Sequence, residues 1–145
     1  MSNQPQYNHE ETTMNPDVIA EVIATSFNAD RPVLHRSSAT VRLHAPDKAP
    51  TPKSVGYGDS ADGALNSAVH NALRYDLMHA GTEVRISSRT LPDGYGRAYL
   101  DEADACIALA NRMPVESQAY KDLVAVAELY QQQYIAVRYE YLRNY

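Results

Sequence analysis

Tyr120, Leu123, Ala127, Tyr130, Tyr134, Val137 and Tyr141 recur at steps of 3, 4, 3, 4, 3 and 4. That period is a heptad seam, the pattern of a helix laid along another surface. It predicts one long helix from about Val115 to the C-terminus, with those seven residues as its buried face. A helix of about 30 residues spans roughly 45 Å, longer than one small domain readily covers. The seam therefore serves one of two ends, packing on the chain's own sheet or pairing with a second copy about a two-fold axis. A helix of that length favours a homo-oligomer, a dimer or larger.

The remainder is punctuated by turns. Asn15-Pro16 has the form of a helix N-cap followed by proline, and Val18, Ile19, Val22, Ile23 and Phe27 follow at helical spacing. These predict a short helix over 16–27. Ala39–His44 alternates, with Val41 and Leu43 on one face and Thr40, Arg42 and His44 on the other, which is a strand. Three prolines make 45–52 a loop, and Lys53–Tyr57 is a second short strand. A helix over 61–79 carries Ala64, Ala68 and Ala72, small residues that admit a closely packed sheet, and Gly81 stops it. Thr82–Thr90 alternates again, with Arg85, Ser87 and Arg89 on one face. Leu91-Pro92-Asp93-Gly94 is a turn, Arg97–Leu100 a return strand, and 101–112 a helix ended by Pro114.

Gly56-Tyr57-Gly58 and Gly94-Tyr95-Gly96 each precede an alanine-rich helix. That echo supports a ββα-ββα layout. The expected fold is α+β: a small antiparallel sheet, helices on one face, and a long C-terminal helix. Residues 1–14 are polar and read as a flexible tail, leaving 15–145 as a single domain that includes the helix 115–145.

Charge narrows the ligand. Residues 1–30 hold five acids and no base, 31–100 nine bases against six acids, and 101–145 four bases against seven acids. The segments thus carry -5, +3 and -3, and the whole carries -5. An acidic protein with a basic centre repels a long polyanion yet tolerates a small anion. The candidate ligand residues are Arg42 and His44 on one strand, Arg85 and Arg89 on another, and Tyr95 and Arg97 beyond the turn. Arginine presents a planar donor fork to phosphate. Tyr95, between two glycines, is the candidate stacking residue; the chain has 11 tyrosines, one phenylalanine and no tryptophan.

Catalytic signatures are missing. No His-Glu-x-x-His, Gly-x-Ser-x-Gly or phosphate-loop spacing occurs, and Cys106 is the single cysteine. The expectation is no catalytic residue, no metal and no cofactor. With no long apolar run and a polar N-terminus, no membrane partner and a cytoplasmic location are expected.

Gly56-x-Gly58-x-Ser60 followed by Ala64, Ala68 and Ala72-Leu73 resembles the last helix of double-stranded-RNA-binding domains, over about residues 16–80. The resemblance implies a preceding helix, antiparallel strands and a nucleic-acid-binding module. Those domains carry lysines where this chain has Ser60, Ala61, Asp62 and Gly63, so its helix start repels a phosphate backbone. In layout, the strands within 39–57 and 82–100 and the helices 61–79 and 101–144 resemble the phage anti-Thoeris nucleotide sponges of the first type. That resemblance implies a small oligomer evading antiviral defence by sequestering a cyclic signalling nucleotide. The function expected is therefore a non-enzymatic oligomeric protein that holds a small phosphate-bearing ligand. A nucleic-acid module and a purely structural or interaction protein are the alternatives.

Overall fold

The computed structural model describes residues 18–75 and 82–144. The expected tail, the Asn15-Pro16 cap and the glycine stop at 81 lie outside them. Strands β1 (Val18–Phe27), β2 (Ser37–His44) and β3 (Ser54–Gly58) run as an antiparallel meander, followed at once by helix α1 (Ala61–Tyr75). Strand β4 (Val84–Ile86), helix α2 (Arg97–Ala110) and helix α3 (Gln118–Arg143) complete the fold. The strand order is β3-β2-β1-β4. The α+β class and the long C-terminal helix are as expected.

Three expectations are corrected. Residues 18–27 form a strand rather than a helix. Their apolar spacing suits a helix face, but β1 is a central strand covered on both sides at its start. Val18 and Ala20 face α1, while Ile19 packs with Leu91, Tyr139 and Leu142 on the other side. A strand buried on both faces loses its alternation and is easily read as helical. The preceding helix implied by the RNA-binding resemblance is accordingly absent over 18–27.

The sheet is mixed, because β4 runs parallel to β1, and its face away from α1 is covered only at the start of β1, where Ile19 meets the end of α3. Over the described residues the order is three strands, a helix, a strand and two helices rather than ββα-ββα. Only three residues of the expected strand 82–90 are extended, and Arg97–Leu100 begins α2 instead of returning as a strand. Gly94 and Gly96 both hold positive φ, 75° and 80°, and Gly96 caps α2 in the left-handed region. That reversal, followed by an Arg97–Asp101 pair at 3.2 Å along the first turn, starts the helix.

On the α1 side the core is built from small residues. Ala64, Ala68 and Ala72 are fully buried and lie one turn apart. Opposite them a Cβ on Gly56 would overlap the backbone of Ala64 and Ala68, and one on Gly58 would sit 2.7 Å from the nitrogen of Ala64. Glycine against alanine brings helix and strand backbones nearly into contact. Ala39, Val41 and Leu43 of β2 fill the space beside them.

α2 and α3 form an antiparallel hairpin. Its buried residues are Ala103 and Ala110 on α2 and Ala127 on the first part of α3. Tyr134 and Val137 of the seam lie against Gly96, and Tyr141 lies against Tyr95. The other seam residues, Tyr120, Leu123 and Tyr130, are half-buried on a stretch of α3 whose neighbour is α2. The last turns of α3 then reach the sheet through Arg138, Tyr139 and Leu142. No helix of the described residues is long and apolar enough to cross a membrane.

Candidate functional site

The segment following β4 crosses the start of β1 and is pinned there. Ser87 N–H donates to Ala20 O at 2.9 Å, Thr90 Oγ1 to Val22 O at 3.0 Å, and Leu91 N–H to Glu21 Oε2 at 3.0 Å. This strapping carries Arg89 and Tyr95 to the C-terminal end of α3. There they line a pocket of about 430 Å³ with Ala136, Val137, Glu140, Tyr141 and Asn144. The volume lies within the range of small-molecule sites.

The pocket wall is aromatic and cationic. The Arg89 guanidinium carbon sits 3.7 Å from the Tyr141 ring centroid, and Nη1 donates to Tyr141 O at 3.4 Å. Tyr95 and Tyr141 have centroids 4.8 Å apart at 52°. Glu140 contributes a negative charge, offset by Arg143 at 3.4 Å. Arg89 also meets the negative end of α3, where a cation is favoured.

Behind this wall lies a buried polar cluster. Glu21 and His44 are each 2% exposed. Glu21 Oε1 is 3.0 Å from His44 Nε2 and 3.9 Å from Arg42 Nη1. Arg138, 6% exposed, donates from Nη1 to Tyr95 O at 3.1 Å and lies 4.9 Å over the Tyr134 ring. Its Nε has no hydrogen-bond partner among the described residues. Burial raises the Glu21 pKa, but bonds from His44 and Leu91 and the charges of His44 and Arg42 outweigh it, leaving the carboxyl below its ordinary value. Burial lowers the His44 pKa, helped by Arg138 and Arg42, against the opposing pull of Glu21. The imidazole is therefore neutral near pH 7, and the carboxylate fixes the proton on Nε2.

The six expected ligand residues separate into three groups. Arg89 and Tyr95 meet at the pocket. Arg42 and His44 share the sheet face opposite α1, but they are engaged with Glu21. Arg85, on β4, and Arg97, paired with Asp101, do not line the pocket. The expected arginine pair on one rigid strand face is corrected, because β4 ends at Ile86 and Arg89 belongs to the following loop. Val137 and Tyr141, expected at an oligomer interface, line the pocket.

Glu21 and Arg138 were not singled out as site residues by sequence, and Tyr141 was expected at an oligomer interface rather than beside a ligand. Glu21 did leave a signal, as the lone acid within the apolar run Val18–Ile23. A second basic-aromatic patch surrounds Tyr57 of β3, with Arg31 5.8 Å from its ring centroid and His35 edge-on at 5.6 Å. Among the described residues no three His, Cys, Asp or Glu side chains cluster in a form suited to a metal. Comparison with protein-family models, curated proteins and solved structures finds no match to this chain.

Proposed function

We propose that this protein binds a small phosphate-bearing ligand with a planar ring, such as a cyclic signalling nucleotide, and sequesters it unchanged. The observation that carries the reading is the meeting of Arg89, Tyr95 and Tyr141 at one pocket of about 430 Å³. Arg89 supplies a charge-assisted fork to phosphate, and its stack on Tyr141 holds that fork in orientation. The tyrosine pair offers a ring face to a base. The surrounding net acidity discriminates against long polyanions.

Titration calorimetry with a panel of cyclic and linear nucleotides tests this. Arg89→Ala is expected to weaken binding at least about tenfold, the loss of roughly 1.4 kcal/mol, whereas Arg85→Ala leaves it unchanged. The ligand recovered by chromatography should be intact. Failure of every nucleotide to bind, or equal affinity in the Arg89 variant, removes the reading. A hydrolysed product makes the protein an enzyme.

A nucleic-acid module is the second reading. It is favoured by the meander leading directly into α1 and by the Tyr57 patch with Arg31 and His35. Acids at 59 and 62 stand against it at the helix start. A short RNA duplex in the same titration decides: salt-sensitive binding abolished by Tyr57→Ala supports this second reading over the first.

A further inference from the structure

The heptad seam of α3 already faces α2 within one chain, yet the helix carries a second stripe. Ala119, Asp122, Val126, Leu129, Gln133 and Ala136 recur at steps of 3, 4, 3, 4 and 3, one residue ahead of the seam, and all are exposed. Val126 is 40% and Leu129 66% exposed. At 100° per residue this stripe lies on the side of the hairpin away from Arg138 and Leu142, which turn to the sheet. By the same phase, exposed Leu109 of α2 lies on that side.

We propose that this face pairs with a second copy of the chain, the two hairpins forming an antiparallel four-helix bundle. The order of residues is the reason for choosing a second copy. A two-fold axis between Ala127 and Glu128 sets Val126 against the second copy's Leu129, Asp122 against its Gln133, and Ala119 against its Ala136. Apolar meets apolar, carboxylate meets amide, and small meets small, so the stripe is complementary to itself in reverse. That is what an isologous interface requires. A parallel pair would instead oppose Asp122 to Asp122, a like-charge contact at a core position.

Charge at the ends agrees with the antiparallel register. The start of α3, capped by Ser117 whose hydroxyl accepts from Tyr120 N–H at 3.1 Å, falls within a turn of the second copy's Glu140. A carboxylate beside a helix N-terminus is favourable. Ala136 and Glu140 also line the ligand pocket, so the second copy walls its rim. The stripe spans about 26 Å of helix, and with α2 the face covers on the order of 500 Å² per copy. That is at the low end of specific interfaces and fits a concentration-dependent, micromolar dimer.

Sedimentation of the full chain across about 5–500 µM reads this directly. The weight-average mass should rise from 16.1 kDa toward twice that value. Leu129→Glu should hold it at 16.1 kDa with unchanged far-UV circular dichroism, because Leu129 is exposed in the single chain. In a Cys106→Ser background, Ala119→Cys with Ala136→Cys should oxidise to a covalent dimer, and Ala119→Cys alone should not. A wild type that stays at 16.1 kDa, a Leu129→Glu variant as dimeric as wild type, or cross-linking by Ala119→Cys alone overturns the proposal.

Discussion

His44 donates its Nε2–H to the Glu21 carboxylate at 3.0 Å, with both side chains almost wholly buried. The bond crosses from β2 to β1, while the second carboxylate oxygen takes the backbone of Leu91. One side chain therefore ties two strands to the loop that delivers Arg89 and Tyr95.

The first expected consequence is a pH dependence. In the unfolded chain His44 takes up a proton near 6.5, but in the fold its pKa is lowered. Below pH 6.5 the unfolded state binds more protons, so stability falls as pH falls. Glu21, held below its ordinary 4.5, adds a further loss as pH drops through that value toward its folded pKa. Thermal melts from pH 8 to 4 should show Tm falling from pH 6.5 downward. His44→Gln, which keeps a donor for Glu21, should flatten the upper part of that fall. A wild-type Tm constant between pH 7 and 5 contradicts this account.

Removing the carboxylate should be costly. Glu21→Ala leaves the Leu91 N–H and the His44 Nε2–H without an acceptor and removes the carboxylate beside Arg42. Each buried donor left without an acceptor costs about 1–3 kcal/mol. Urea denaturation should record a loss of that size, and a loss below about 1 kcal/mol would mean that water already solvates the cluster.

Arg138 offers a contrasting test. Its charge helps to lower the His44 pKa, and its Nε is unpartnered among the described residues. Arg138→Met should raise the His44 pKa, read by NMR titration of the imidazole. Its stability cost should be small, within about 2 kcal/mol, because replacing a buried ion with a hydrophobe of similar volume is often near neutral. An unmoved His44 titration would separate the two residues electrostatically.

At the glycine–alanine contact the tolerance should be narrow. A methyl on Gly56 meets the backbone of α1, which cannot move aside as a side chain does. Gly56→Ala is expected to destabilise by about 3 kcal/mol, the upper end of ordinary overpacking. The same change at Gly94, where a Cβ meets nothing within 4 Å but φ is 75°, should cost only about 1 kcal/mol through its left-handed backbone. Equal chemical-denaturation midpoints for the two variants would refute the close approach of α1 to β3.

Local pattern by itself determined the long C-terminal helix, the strand at Ala39–His44 and the alanine-lined helix after Gly58. In each, a period, a cap or a turn residue acts on its neighbours, so the information is contained in adjacent residues. The same pattern misread Val18–Phe27, because apolar spacing reports that a segment is covered but not by how many layers. What covers each face of β1 depends on where α1 and the end of α3 return. The pocket is likewise a tertiary product. Arg89 and Tyr95 are near in sequence, but Tyr141 reaches them only because Leu91 is strapped to Glu21 and the hairpin folds back on Gly96. Arg42 and His44 looked as available as Arg89 in sequence. His44 is buried and Arg42 half-buried beside Glu21, and those contacts engage them, since a polar group removed from water must be satisfied by whatever the fold brings to it.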